Sequence, residues 1–129
     1  MELNLYEEVV HRIRGSSDMM INLTTGAGAP FIPTDRDPIG PAPGSALCSP
    51  QRRIEHVVRL KPEIYSLDVG SMNFGPHVFV NTVSHVEWRA ERILESGVKP
   101  ELEVFDLGHI ETANHLLNRG RVKRPPLLP

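Results

Sequence analysis

Small polar side chains recur in this chain where an apolar run gives way to glycine. Thr24, Thr25 and Gly26 follow Ile21-Asn22-Leu23. Ser71, Met72 and Asn73 follow Leu67-Asp68-Val69-Gly70, and Asp106, Gly108 and His109 follow Leu102-Glu103-Val104-Phe105. Hydroxyls and a carboxamide at strand exits suit the holding of a polar ligand, because parallel α/β sheets bind ligands at the C-terminal ends of their strands. Glu103 stands out among them. An acid inside a strand is costly unless it meets a cation, a metal or hydrogen-bond donors, so Glu103 is either a ligand contact or a member of a structural ion pair.

Other candidates carry weaker chemistry. Gly26 and Gly28 loosely resemble a dinucleotide fingerprint, but Thr-Thr-Gly-Ala-Gly-Ala-Pro does not run into a helix, and a tight strand exit is the reading preferred. His11, His56, His85 and His115 fall on predicted helices, mostly on polar faces where solvent surrounds them. His77 and His109 fall near strand ends, within reach of a ligand. No His-x-His, His-x-x-x-His or Cys-x-x-Cys occurs, so the chain shows no metal site of its own. Cys48 reads as an ordinary loop thiol. Asp68 and Asp106 each precede a glycine closely and read as turn-stabilising. No Gly-x-Ser-x-Gly elbow is present.

The elements that must position these groups follow from periodicity. Leu5, Val9, Val10 and Ile13 predict an amphipathic helix stopped at Gly15. Residues 18–24 predict a short strand. Residues 30–48, crowded with Pro30, Pro33, Pro38, Pro41 and Pro43, predict a long loop without helix or strand. Ser49-Pro50 is a helix start, an N-cap followed by proline at the first helical position, with Ile54, Val57, Val58 and Leu60 buried. Residues 61–75 predict a buried strand with a polar tip, and residues 76–82 a loop or short extended piece. Ser84-His85-Val86-Glu87 reads as a capping box opening a helix that ends at Gly97. Residues 102–107 predict a strand, and Ile110, Ala113, Leu116 and Leu117 a helix closed by Gly120. The tail from Arg121 reads as a linker entering a further strand.

Lys61-Pro62-Glu63 returns as Lys99-Pro100-Glu101, and Asp68-Val69-Gly70 as Asp106-Leu107-Gly108. A constant spacing marks a repeated supersecondary unit. Strand, loop, helix and next strand imply parallel pairing through helical crossovers. The repeat aligns Tyr65 with Glu103. With side chains alternating, it then sets Glu103 on the face of Leu67, Val69, Ser71 and Asn73. Three strands are too few to close a barrel, so the fold class expected is α/β: a partial (β/α)8 barrel over residues 1–129, with flanking helices and a proline-rich insertion at 30–48; a three-stranded open α/β domain is the less favoured alternative.

Composition narrows the classes. With 40% apolar and 23% charged residues in 129 positions, one globular domain is expected. A net charge of −2 gives no footprint for nucleic acid. No apolar run approaches a membrane span, and Met1-Glu2-Leu3-Asn4 has no leader character. The one cysteine fits a reducing compartment, and the expected location is cytoplasmic.

Taken together, Ile21-Asn22-Leu23-Thr24-Thr25-Gly26, Ser71-Met72-Asn73-Phe74-Gly75, Val78-Phe79-Val80-Asn81-Thr82 and Pro100-Glu101-Leu102-Glu103-Val104-Phe105-Asp106 resemble the β-keto acid cleavage enzyme family. The resemblance runs in order along nearly the whole chain. It implies a zinc-dependent (β/α)8 barrel that is homo-oligomeric at full length. Such an enzyme cleaves a β-keto acid in a retro-Claisen-type reaction with acetyl-CoA as co-substrate, giving acetoacetate and a new acyl-CoA. By the same resemblance Thr24 supplies a hydroxyl and Ala27 a backbone contact to the substrate's carboxylate or keto group. Ser71 and Asn73 are substrate contacts, and Glu103 meets the substrate's distal group. Thr24 replaces the family's usual serine and keeps the hydroxyl. The resemblance also implies a zinc held by a His-x-His on an earlier strand and a Glu on a later one, with the catalytic Asp and an Arg in that later part. None of these is in this chain, so it is expected to be a fragment inactive alone. The alternative is a free-standing α/β module that binds a small ligand or self-associates, without catalysis.

Overall fold

The computed structural model describes residues 2–37 and 40–129; Met1 and Pro38, both used in the sequence reading, lie outside the described residues. The elements in order are α1 (Leu3–Ser16), β1 (Asn22–Thr24), β2 (Pro30–Phe31), α2 (Pro50–Leu60), β3 (Ile64–Asp68), β4 (Met72–Phe74), β5 (His77–Phe79), α3 (Val83–Ser96), β6 (Lys99–Glu103) and α4 (Leu107–Asn118). They form a mixed α/β structure with a three-stranded parallel sheet, β1-β3-β6, and flanking helices.

Helix starts follow local chemistry. Ser49 Oγ accepts from the Arg52 N–H at 3.3 Å, with Pro50 in the first turn. For α3 the expected box at Ser84 is displaced. Thr82 is the cap, accepting from the His85 N–H, and Ser84 sits inside the helix. Asp106 caps α4 by accepting from the His109 N–H at 3.0 Å. Gly97 ends α3 in the left-handed conformation expected of it. Gly15 does not stop α1, which continues to Ser16.

One face of the sheet is apolar. Leu23, Tyr65, Leu67 and Leu102 pack with Val57, Val86, Ala90, Ile93, Ala113 and Leu116 from the helices. Burying each valine, leucine or isoleucine among them contributes about 1.5–3 kcal/mol. Val58, predicted on a buried helix face, is exposed instead, as are Leu5, Val9 and Ile110, whose spacing marked their helices.

The opposite face carries Asn22 and Thr24, Ser66 and Asp68, and Glu101 and Glu103, set side by side by the register Thr24↔Ser66 and Asp68↔Glu103. This corrects the facing inferred from the repeat. Hydrogen bonding offsets β6 from β3 by one parity relative to the sequence alignment, so Glu103 lies opposite Leu67 and Val69 rather than with them. Ser71 and Asn73 do not extend that alternation either, because the sheet strand ends at Asp68 and the chain turns away.

Three further boundaries differ from expectation. The first strand is confined to Asn22–Thr24, with Met19 and Met20 exposed before it. The last begins at Lys99 and ends at Glu103, because Asp106 is taken up as the cap of α4. The proline-rich stretch is not free of strand. Pro30–Phe31 pairs antiparallel with β5, which pairs with β4, giving a second three-stranded sheet, β2-β5-β4, placed after the exits of the parallel strands. Gly75, with φ 59°, forms the tight link between β4 and β5. The tail reaches back to the parallel sheet: Leu127 bridges Glu101 in parallel, and its carbonyl accepts from the Leu102 N–H at 2.8 Å.

Candidate substrate wall at the strand exits

At the end of β1, Thr24 Oγ1 accepts from the Gly26 N–H at 3.0 Å, bending the chain out of the sheet. A methyl added to Gly26 would stand 3.2 Å from Thr24 Oγ1, 3.3 Å from the Phe79 ring and 3.4 Å from Asp68 Oδ2. Thr24, Asp68 and the β5 aromatic therefore surround one point. Ala27 is further along the turn, beside an open cleft of about 500 Å³ shared with Tyr6, Cys48 and Arg52.

Ser71 follows β3. Its Oγ accepts from the Asn81 N–H at 2.8 Å, and its carbonyl accepts from His109 Nε2 at 3.1 Å. His109 Nδ1 accepts from the Phe105 N–H at 3.2 Å, which leaves the ring proton on Nε2. Asn73 stands on β4, exposed, and its carboxamide makes no side-chain hydrogen bond to a described residue. Among the expected contacts, Thr24 and Glu103 thus border the polar face of the parallel sheet, Ser71 and Asn73 occupy the exit of β3, and Ala27 lies apart from both.

Glu103 and Asp68 are adjacent across the ladder. Burial raises the Glu103 pKa above the ordinary carboxylate range, and the neighbouring Asp68 raises it further. Asp68, read from sequence as a turn residue, is buried instead, and its Oδ2 has no hydrogen-bond partner among the described residues.

Behind this face lies a cluster that the sequence reading missed. Arg53 and Arg89 are both buried on helix faces otherwise filled by apolar residues. Both donate to Asn81 Oδ1, at 2.7 and 2.6 Å, and to the Thr25 carbonyl, at 3.0 and 3.3 Å. Burial, and then the like charge of Arg53, push the Arg89 guanidinium down to about 9, against which Asp68 acts in the opposite direction. His56, placed on a polar face from sequence, is 1% exposed and bonds the Thr24 carbonyl through Nε2 at 2.8 Å. The signal was present in the spacing. Arg53 and His56 bracket Ile54 and precede Val57, while Arg89 sits three residues after Val86 and four before Ile93, on the stripe that faces the core.

Among the described residues no group of three His, Cys, Asp or Glu side chains is placed to hold a metal ion. Glu101 is taken up by Ser66 and Asn22, and Asp68 with Glu103 makes only a pair of carboxyls with no imidazole or thiolate beside it, so these residues do not fit zinc. Nor is any helix among the described residues long and apolar enough to cross a membrane.

Comparison with known proteins places this geometry in a family. The sequence model of β-keto acid cleavage enzymes matches residues 1–129. The chain is 37% identical over 131 residues to 3-dehydrocarnitine:acetyl-CoA trimethylamine transferase of Rhizobium meliloti, covering 98% of the chain and 44% of that protein. It is 39% identical over 88 residues to 3-keto-5-aminohexanoate cleavage enzyme of Acetoanaerobium sticklandii, covering 67% and 32%. It is 26% identical over 145 residues to 3,5-dioxohexanoate:acetyl-CoA acetone transferase of Paraburkholderia graminis, covering 94% and 41%. The chain spans less than half the length of each of these relatives. With its polar strand exits and a match along its whole length, the chain belongs to the β-keto acid cleavage enzyme family.

Proposed function

We propose that these residues form part of the substrate wall of a (β/α)8 enzyme that cleaves a β-keto acid with acetyl-CoA, yielding acetoacetate and a new acyl-CoA, and that the substrate carries a cationic distal group. The observation that carries this reading is the Asp68–Glu103 pair on the polar face of the sheet. A cationic group approaching two adjacent carboxyls favours the ionised form of Glu103 and answers its burial, which a neutral group cannot do. Thr24, Ser71 and Asn73 then serve the carboxylate and keto end with hydroxyl and amide donors, and Ala27 offers a backbone group. The names of two relatives, one with trimethylamine and one with aminohexanoate, agree with a cationic end.

In this reading the enzyme is cytoplasmic and homo-oligomeric, and zinc polarises the keto group when bound. Its ligands are not among the residues described here, and no step is assigned to it. The 129 residues are a segment of the catalytic unit and inactive alone.

The test is to express the chain with and without its flanking coding sequence, then compare cleavage of 3-keto-5-aminohexanoate with that of 3,5-dioxohexanoate. The extended polypeptide is expected to prefer the amino substrate. Glu103→Gln should lower kcat/KM for that substrate by roughly tenfold to a hundredfold, the worth of a hydrogen bond to a charged group, and leave the dioxo substrate nearly unchanged. Equal losses on both substrates refute the cationic pocket. Turnover by the 129-residue chain alone refutes the reading of it as a segment.

A further inference from the structure

Four strand exits are linked through one asparagine. Asn81, 3% exposed, stands between β5 and α3. Its Oδ1 accepts from both guanidinium groups, and since each of them can only donate, the oxygen rather than the nitrogen must face them. Arg53 also reaches the Val80 carbonyl at 3.1 Å, and Arg89 reaches Thr25 Oγ1 at 3.1 Å. The turn after β1 and the link after β5 are thereby fastened to the same two side chains. The Asn81 N–H then fills one lone pair of Ser71 Oγ, and the Ser71 carbonyl takes the His109 Nε2–H. That last bond ties in the turn after β6.

A hydroxyl has one proton and two lone pairs. With one lone pair held by a fixed backbone N–H, the orientation of Ser71 Oγ is set and its proton remains available for a ligand oxygen. We propose that Asn81 is the positioning residue of this site: Arg53 and Arg89 hold its side chain so that its backbone N–H aims the Ser71 hydroxyl as a donor. The inference rests on the reading of Ser71 as a substrate contact. Asn81 itself touches no substrate.

Two measurements test it, one free of any assumption about activity. In the full 129-residue chain, amide hydrogen exchange at residue 81 is compared with that of Val69, whose N–H bonds the Glu103 carbonyl in the sheet. Asn81→Ala should speed exchange at position 81 about tenfold or more relative to Val69, as expected for loss of a buried hydrogen-bonded anchor. Asn81→Asp retains the acceptor and should keep the protection. Unchanged exchange in Asn81→Ala overturns the proposal. Should Asn81→Ala fail to fold, Asn81→Asp decides: protection kept supports the proposal, protection lost overturns it.

The second measurement uses the extended polypeptide and 3-keto-5-aminohexanoate. Asn81→Ala and Ser71→Ala should each raise KM about tenfold, the double variant should be no worse than Ser71→Ala, and Asn81→Asp should recover most of the loss. Additive losses would mean that Asn81 acts elsewhere and would overturn the proposal. If the extended polypeptide cleaves no β-keto acid, the functional reading fails, and the exchange experiment still decides the positioning role.

Discussion

Replacing Gly70 with alanine tests how tightly the β3 exit is built. An added Cβ would stand 2.1 Å from His109 Cδ2, 2.2 Å from Nε2 and 2.9 Å from Cγ, against an ordinary contact distance of 3.4 Å or more. The imidazole must therefore move by more than 1 Å. It is buried, and it is held by the Phe105 N–H on one nitrogen and the Ser71 carbonyl on the other. Gly70 is not among the glycines with positive φ, so the penalty is steric and owes nothing to backbone conformation. Overpacking costs about 1–3 kcal/mol, and the two hydrogen bonds contribute about 1 kcal/mol each. The expected loss is about 3–5 kcal/mol, a large part of the roughly 5–15 kcal/mol stability of a small domain. In urea titration with a slope near 1.5 kcal/mol/M, the midpoint should fall by about 2–3 M. His109→Ala opens the space, so adding Gly70→Ala to that variant should cost little further. A Gly70→Ala midpoint within about 0.3 M of the parent, or the same loss in both backgrounds, would refute the reasoning.

Three further predictions follow from the buried charges. The Glu103 carboxyl keeps its proton in the folded chain at pH values where the unfolded chain has lost it. Stability should therefore fall as pH rises above the ordinary glutamate range, and Glu103→Gln should flatten that slope in thermal melts taken between about pH 4 and pH 8. His56 shifts the other way. Burial lowers its pKa, so the unfolded chain binds the extra proton first, and stability should drop as pH falls through about 6.5, a drop that His56→Gln removes. Arg89→Met deletes donors to Thr25 and to Asn81 and should lower stability by about 2–4 kcal/mol in urea titration, partly offset by relief of repulsion from Arg53.

The parallel sheet and its helices were legible because they are written in local patterns. Ser49-Pro50 and Gly97 carry capping chemistry that tertiary context did not override. The site was legible in its residue types and not in its geometry. The repeat of Lys-Pro-Glu invites alignment of Tyr65 with Glu103, but ladder register is settled by hydrogen bonding between strands, which pairs Glu103 with Asp68. The second sheet was hidden for a related reason. Pro30 and Phe31 pair with Phe79 and Val78, partners nearly fifty residues away, and two-residue strands leave no period to read. Arg53, His56 and Arg89 were passed over because charged residues on a helix are ordinarily solvated. Their burial depends on acceptors at Thr24, Thr25 and Asn81 that arrive from other elements.

The antiparallel sheet makes the upper storey of this fold partly independent of the floor. Its strands come from the proline-rich stretch and from the hairpin after β3, and it is tied to the floor through Arg53, which donates to the Thr25 carbonyl at 3.0 Å and to the Val80 carbonyl at 3.1 Å. Residues can be gained or lost between Phe31 and Ser49 without disturbing a single rung of the parallel ladder. What sits above the acids is Phe79, which closes round Gly26 together with Thr24 and Asp68 and is carried by the strand that pairs with Pro30–Phe31. Ceiling height above the acids is thus a variable that evolution, or an engineer, can adjust by editing loop length alone.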